Sequence, residues 1–330
     1  MKHVCMIGEG AWGTAMATVL AANGHKVRLW CHDAQVCADM SKTRQAGPGL
    51  PDVALTDLIH PTIDLEAAVC DADWIFEAIP VKFLRGAMEK VKPSFKDDQR
   101  WVVLSKGIEQ ETLLLPSQVL DDVFGTNVAK AVVAGPSYAK DVATHQITAV
   151  SLASSDVMIA RELQELLAND YFRPYITDDV IGVQAGTALK NVIALGVGML
   201  RGAGYGDNTQ AFLFTRGLHE LRVLVRQLGG NEETVFGLAG VGDLVLTAMG
   251  SLSRNAEVGM RLGKGQTLEQ ILAETGYTPE GINTVQSVHQ MMERGGMELP
   301  ICRGIYDVVF NVLPLKDMLQ RLMDMPLESE

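Results

Sequence analysis

As far as Thr177 the chain repeats one pattern: a short apolar run, a stop made of glycine or proline, then apolar residues at helical spacing. The runs His3 to Ile7, Lys26 to Cys31, Trp74 to Ile79, Trp101 to Leu104, Ala131 to Ala134 and Ala149 to Ala153 predict buried strands. Asp52 to Ala54 and Thr62 read as short strands around proline-containing turns. The segments Gly13 to Asn23, Ala34 to Thr43, Leu65 to Val69, Phe83 to Val91, Pro116 to Val123 and Val157 to Ala168 predict helices. Strand–helix alternation of this kind argues for a parallel sheet covered by helices.

Beyond Thr177 the alternation stops. Gly182 to Met199, Gln210 to Leu228, Asn255 to Leu262, Thr267 to Glu274, Thr284 to Arg294, Leu299 to Val309 and Leu315 to Met323 all carry helical patterns, separated by glycine turns. The expected organisation is an α/β domain over residues 1–179 and an all-helical domain over residues 180–330. Glu328-Ser329-Glu330 is expected to fray.

Composition narrows the class. Apolar residues make up 47% of 330 and charged residues 21%, which suits a folded protein with a large core. Lys plus Arg is 28 and Asp plus Glu is 40, a formal net charge of −12. That argues against a nucleic-acid partner, because nonspecific binding depends on neutralising phosphates. A small anion is still compatible, through a local basic pocket. Cys5, Cys31, Cys37, Cys70 and Cys302 form no CxxC pair and no zinc-like cluster, so reduced thiols, a cytoplasmic setting and no metal are expected. No apolar run reaches the roughly 20 residues of a membrane span, so no stable membrane insertion is expected. Glu9 and nearby glycines interrupt the apolar start, which argues against a signal peptide. Glycine is enriched, at 32 residues, against a usual share of about 7%.

Some of that glycine has a chemical reading. Gly8-Glu9-Gly10-Ala11-Trp12-Gly13 is GxGxxG between the first strand and the first helix, inside a strand–helix–strand unit of about thirty residues. Gly8 permits the tight turn, Gly10 lets backbone approach a pyrophosphate, and Gly13 allows close helix–strand packing. The helix N-terminus then offers free N–H groups to phosphate. These features point to a Rossmann-type domain binding NAD(H) or NADP(H). Asp33 stands about 20 residues further on, where an acid contacts the ribose 2′-hydroxyl. His32 beside it suits a 2′-phosphate instead, and Asp33 also reads as the N-cap of the helix at Ala34. Cofactor choice stays open at this point.

Ligands of open α/β sheets bind beyond the carboxyl ends of strands. Three such ends are unusual here: Ile79-Pro80, Ser105-Lys106-Gly107 and Gly135-Pro136-Ser137. Lys106 is either an exposed loop lysine or a charge presented to a ligand. Lys190 lies in the nearly all-apolar Gly186 to Gly196, where a lysine either snorkels to the surface or has a task. A desolvated lysine exchanges protons nearer neutrality, so Lys190 is a candidate acid/base. Asp243 is the single carboxylate in Gly240 to Thr247. Ser253-Arg254-Asn255 reads both as an anion cradle and as a helix start capped by Ser253.

Together, Gly8 to Thr14, Ser105 to Glu109, Ala134 to Ala139, Gly186 to Ala194, Gly240 to Leu246 and Leu252 to Asn255 resemble the bacterial NAD(P)-dependent sn-glycerol-3-phosphate dehydrogenases, from Val4 to about Arg303. The resemblance implies interconversion of glycerol 3-phosphate and dihydroxyacetone phosphate, a role in glycerophospholipid synthesis, and a homodimer. It makes Lys190 the proton donor to the carbonyl oxygen and Asp243 an acid that helps bind substrate. It places Lys106 near cofactor and substrate, Gly135 and Ser137 at the substrate, and Ser253, Arg254 and Asn255 at its phosphate. Arg254, Trp12, His32, Ala139, Thr278 and Glu280 match cofactor contacts. The chain departs from the family at Ala11, where serine is usual, and at Thr278-Pro279, where aliphatic residues are usual. A related 3-hydroxyacid-type dehydrogenase and a non-catalytic NAD(P)-binding sensor are the alternatives. The first is disfavoured by Lys106 and the Ser-Arg-Asn segment, the second by the presence of Lys106, Lys190 and Asp243.

Overall fold

Eight strands form one sheet: β1 (His3–Ile7), β2 (Lys26–Trp30), β3 (Ile59–Thr62), β4 (Trp74–Glu77), β5 (Arg100–Val103), β6 (Lys130–Ala134), β7 (Thr148–Ala153) and β8 (Phe172–Thr177). In this computed structural model, which describes residues 1–125 and 128–326, their order is β3-β2-β1-β4-β5-β6-β7-β8. The central strands are buried on both faces, as their continuous apolar runs require. The expected parallel sheet needs one correction: β6 and β7 run antiparallel, with Val132 opposite Ala153. β8 follows β7 in parallel. Asp52 to Ala54 forms no strand, only an isolated bridge from Gln45 to Ala54. The expected fraying at Glu328 to Glu330 lies outside the described residues.

Helices α1 (Ala11–Ala22), α2 (Ala34–Thr43), α3 (Leu65–Cys70), α4 (Val81–Val91), α5 (Pro116–Phe124), α6 (Ala139–Ala143) and α7 (Val157–Leu167) accompany the sheet. α1 is apolar nearly all round, and Gly13 to Ala21 are buried. The rest of the described chain is helical: α8 (Val180–Gly202), α9 (Asp207–Gln227), α10 (Asp243–Met249), α11 (Arg254–Gly263), α12 (Leu268–Thr275), α13 (Glu280–Gly295), α14 (Pro300–Phe310) and α15 (Leu315–Met323). A π-helical turn over Leu238–Gly242 precedes α10.

Contacts group the chain into two units, Met1–Lys106 with Leu114–Gln184, and Gly107–Leu113 with Ala185–Glu330. The division falls inside α8, after Gln184, and Asp179 stands just before that helix. The segment after Lys106 joins the second unit. Ser287 donates to the Ile108 carbonyl at 2.9 Å, and Arg294 to the Glu111 carbonyl at 2.6 Å.

The second unit is organised around α8. By length and composition α8 could cross a membrane, contrary to the expectation that no such segment exists, but 89% of its apolar window is buried inside the protein. Glycines let it touch α11 backbone to backbone. A Cβ at Gly198 or Gly202 would overlap the carbonyls of Ala256 or Met260, and one at Gly259 or Gly263 those of Leu195 or Met199. Much of the glycine excess is therefore structural, and the crossing brings the start of α11 against the middle of α8. Elsewhere Glu220 of α9, 4% exposed, accepts the N–H groups of Ile301 and Cys302 in the first turn of α14. Burial nevertheless pushes its carboxyl up to about 7.

Candidate active site

Parallel β2, β1, β4, β5 and β6 end at one edge of the sheet. His32 and Asp33, Gly8, Pro80, Lys106 and Gly135 follow those ends in that spatial order. Gly8 has φ 119° and packs on β4: a Cβ there would lie 2.8 Å from the Ala78 carbonyl oxygen. A Cβ at Gly13 would overlap the Gly8 carbonyl, whereas one at Gly10 would meet nothing within 4 Å. Gly8 and Gly13 thus serve packing, and Gly10 faces open space, as a pyrophosphate contact requires. Gly10 is the N-cap of α1, which has no side-chain cap and no acid in its first turn. Its first N–H groups are thereby left for an anion. Trp12 Nε1 is buried without a hydrogen-bond partner among the described residues. These features fit a bound dinucleotide.

Asp33 caps α2, its Oδ1 accepting from Gln35 and Val36 at 2.8 and 3.1 Å. Its own N–H donates to Glu9 Oε1 at 3.1 Å, tying it to the glycine turn. His32 is exposed. Ala11 lies under Gly49, whose Cβ would sit 3.0 Å from the alanine methyl. Gly135 has φ 153°, and a Cβ there would lie 3.0 Å from Val150 Cα. Ser137 Oγ donates to the Gly135 carbonyl at 3.0 Å, and Ala139 opens α6.

Glu77 was not singled out from the sequence, although a carboxylate ending the run Trp74-Ile75-Phe76 was the available signal. It is 0% exposed. Its Oε1 accepts from Ser105 Oγ at 2.7 Å and from the N–H groups of Leu104 and Ser105 at 3.2 Å each. Burial pushes the carboxyl up to about 8, against the opposing hydrogen bonds from Ser105 and Leu104.

The second unit holds the other group. Lys190 of α8 forms an ion pair with Asp243 Oδ1, with side chains only 5% and 2% exposed. The snorkelling alternative for Lys190 is therefore wrong. Asp243 is presented at the start of α10 by the π-helical turn, a distortion common at functional sites. Asn191, next to Lys190, accepts from Asn255 Nδ2 at 3.0 Å and donates to Glu280 at 3.2 Å. Asn255 Oδ1 in turn accepts the Gly281 N–H at 2.9 Å. Asn191 is thus the residue joining α8, α11 and α13, and its pairing with Lys190 in sequence was the signal for it. Ser253 caps α11 through Ala256 N–H at 3.2 Å. Arg254 is exposed, its guanidinium 5.3 Å from the Tyr277 ring centroid. Thr278 is half-buried two residues before Glu280, which opens α13.

An α/β domain with an uncapped glycine turn, joined to a helical unit holding a buried Lys–Asp pair, defines a dinucleotide-dependent oxidoreductase. The comparisons make this specific. Residues 3–160 match the family profile "NAD-dependent glycerol-3-phosphate dehydrogenase N-terminus", and residues 179–320 match its C-terminus. The chain belongs to the NAD-dependent glycerol-3-phosphate dehydrogenase family. It is 39% identical over 325 residues to the glycerol-3-phosphate dehydrogenase [NAD(P)+] of Bacillus cereus, covering 98% of this chain and 96% of that one. It is 38% identical to the enzyme of that name from Leuconostoc mesenteroides, with 100% of both chains covered. The crystal structure of glycerol-3-phosphate dehydrogenase from Coxiella burnetii superposes with a TM-score of 0.94 at 33% identity, covering 98% and 99%. A ketopantoate reductase from Ralstonia eutropha, at 15% identity and TM-score 0.63, shares the fold alone.

Proposed function

We propose that this enzyme interconverts sn-glycerol 3-phosphate and dihydroxyacetone phosphate with NAD(P) as hydride carrier, supplying glycerol 3-phosphate for glycerophospholipid synthesis. The observation that carries the reading is the buried Lys190–Asp243 pair beside the Asn191–Asn255 network, with Arg254 adjoining it. When bound, the cofactor supplies or accepts the hydride at the substrate's central carbon. Lys190 gives its proton to the carbonyl oxygen during reduction and takes it back from the hydroxyl during oxidation. Asp243 keeps the lysine ammonium charged and aimed, despite its burial.

Arg254, with Ser253 and Asn255, receives the substrate phosphate, for which a guanidinium offers two parallel donors. Lys106 adds positive charge at cofactor and substrate, and Gly135 and Ser137 contact substrate. Gly8, Gly10, Ala11, Trp12 and Gly13 hold the pyrophosphate side of the cofactor. His32, Asp33, Ala139, Arg254, Thr278 and Glu280 complete its contacts. The first unit then serves the cofactor, and the second mostly the substrate. We read the enzyme as a cytoplasmic homodimer without lasting membrane insertion. The burial of α8 supports its role as a core helix, and the net charge of −12 supports the absence of a nucleic-acid partner.

Initial rates with dihydroxyacetone phosphate and NADH or NADPH test the reaction and settle the cofactor together. Turnover with either supports the reading. Turnover only of 3-hydroxyacids, or nucleotide binding with no turnover of any substrate, overturns it.

A further inference from the structure

We propose that Glu77 is a positioning residue for Lys106, fixing the strand end that carries the lysine by holding the backbone and hydroxyl of Ser105. The inference rests on the reading of Lys106 as a site residue.

A carboxyl inside an apolar strand is costly unless its oxygens are hydrogen-bonded. Glu77 Oε1 collects three donors, all from the two residues before Lys106. The location explains the need. The β4–β5 ladder ends where Glu77 pairs with Val103, and the Glu77 carbonyl makes the last rung, accepting from Leu104 N–H at 3.0 Å. Beyond that rung Ser105 has no strand partner on β4, and the carboxyl of Glu77 takes the place of the missing one. Ser105 is buried, so an unsatisfied N–H and hydroxyl would each carry a penalty there. The direction in which the chain leaves the sheet, and hence where Lys106 starts, is set by this side chain.

The three groups that donate to Oε1 carry no charge, and Oε2 is buried without a hydrogen-bond partner among the described residues. The acceptor role accordingly needs no negative charge, and burial keeps the proton on at neutral pH. A glutamine can take over that role, with its carbonyl in place of Oε1 and its amide nitrogen in place of Oε2.

The test uses the full-length enzyme and the variants Glu77→Gln, Glu77→Val, Lys106→Ala and Glu77→Val/Lys106→Ala. Readouts are kcat, KM for dihydroxyacetone phosphate, NADH affinity by fluorescence and the melting temperature. Glu77→Gln should keep kcat/KM within about threefold of the parent, since geometry and hydrogen bonding are preserved. Glu77→Val should lose about 10²-fold, the scale of a displacement of roughly 1 Å at a reacting site. In the Lys106→Ala background the valine should cost no more than about threefold further. If Glu77→Val does not fold, Ser105→Ala substitutes for it, with a smaller loss that also vanishes without Lys106.

Losses that multiply in the double variant overturn the proposal while leaving the reading of Lys106 intact. So does a Glu77→Gln variant as impaired as Glu77→Val. Near-normal turnover by Lys106→Ala overturns both.

Discussion

Replacing Asp243 by asparagine leaves the volume and one acceptor oxygen in place but removes the charge facing Lys190. Both side chains are almost fully buried, at 5% and 2% exposure, so water cannot take over the role of the carboxylate. A buried pair adds little net stability, yet deleting one partner typically costs about 3–5 kcal/mol. The second unit has roughly 150 residues, where each kcal/mol moves the melting temperature by about 2–4 °C. Asp243→Asn should therefore melt about 6–20 °C below the parent. It should also lose most of its turnover, because the lysine is no longer held charged and aimed. Lys190→Met/Asp243→Leu removes both charges and should recover much of the stability with none of the activity. Calorimetric melts of the parent, Lys190→Met, Asp243→Leu and the double variant give a coupling energy, expected at about 3 kcal/mol or more. Melting of Asp243→Asn within about 2 °C of the parent, with additive single effects, would refute the buried pair.

Three other outcomes follow from the structure. Glu220 titrates at about 7 when folded against 4.5 when exposed, so the native state holds a proton that the unfolded chain releases. Its contribution is full below pH 4.5 and is lost as pH rises through 7, about 3 kcal/mol in all. Urea melts of the parent and Glu220→Gln should diverge in the variant's favour across that window, and parallel curves would count against the assignment. Gly10→Ala should leave the melting temperature unchanged but weaken nucleotide binding, whereas Gly13→Ala, whose Cβ overlaps the Gly8 carbonyl, should destabilise the fold. Equal behaviour of the two would remove the distinction. Arg254→Ala should raise KM for dihydroxyacetone phosphate about 10- to 100-fold, the scale of a charge-assisted hydrogen bond, with NADH affinity changing less. An unchanged KM would take Arg254 out of the phosphate site.

Much of the first unit could be read from residue patterns, because central parallel strands are continuous apolar runs and helices between them carry their own periodicity. The two edges were less legible: of β3 only Thr62 reads as strand, and β8 is not read at all. β3 contains Pro61 and β8 contains Pro174, and proline in a short polar run weakens the strand signal although edge strands tolerate it. The antiparallel β6–β7 pairing escaped for another reason: the five-residue α6 between them looks like any other interruption, and strand direction is not encoded in periodicity. Among site residues, Lys190 announced itself by its apolar surroundings, and Asp243 by being the lone acid of its segment. Asn191 and Glu77 did not, because their roles depend on Asn255 and Ser105, which the fold brings to them. The dual reading of Ser253 resolves only as far as the cap it makes to Ala256, and Asp33 likewise caps α2.

The central claim is that Lys190 moves the proton. Single-turnover reduction of dihydroxyacetone phosphate by the parent and by Lys190→Ala, with NADH or NADPH saturating, tests it most directly. The account predicts a rate lower by about 10²–10⁴-fold in the variant, with nucleotide affinity unchanged. A variant that reduces the ketone at nearly the parental rate would contradict it.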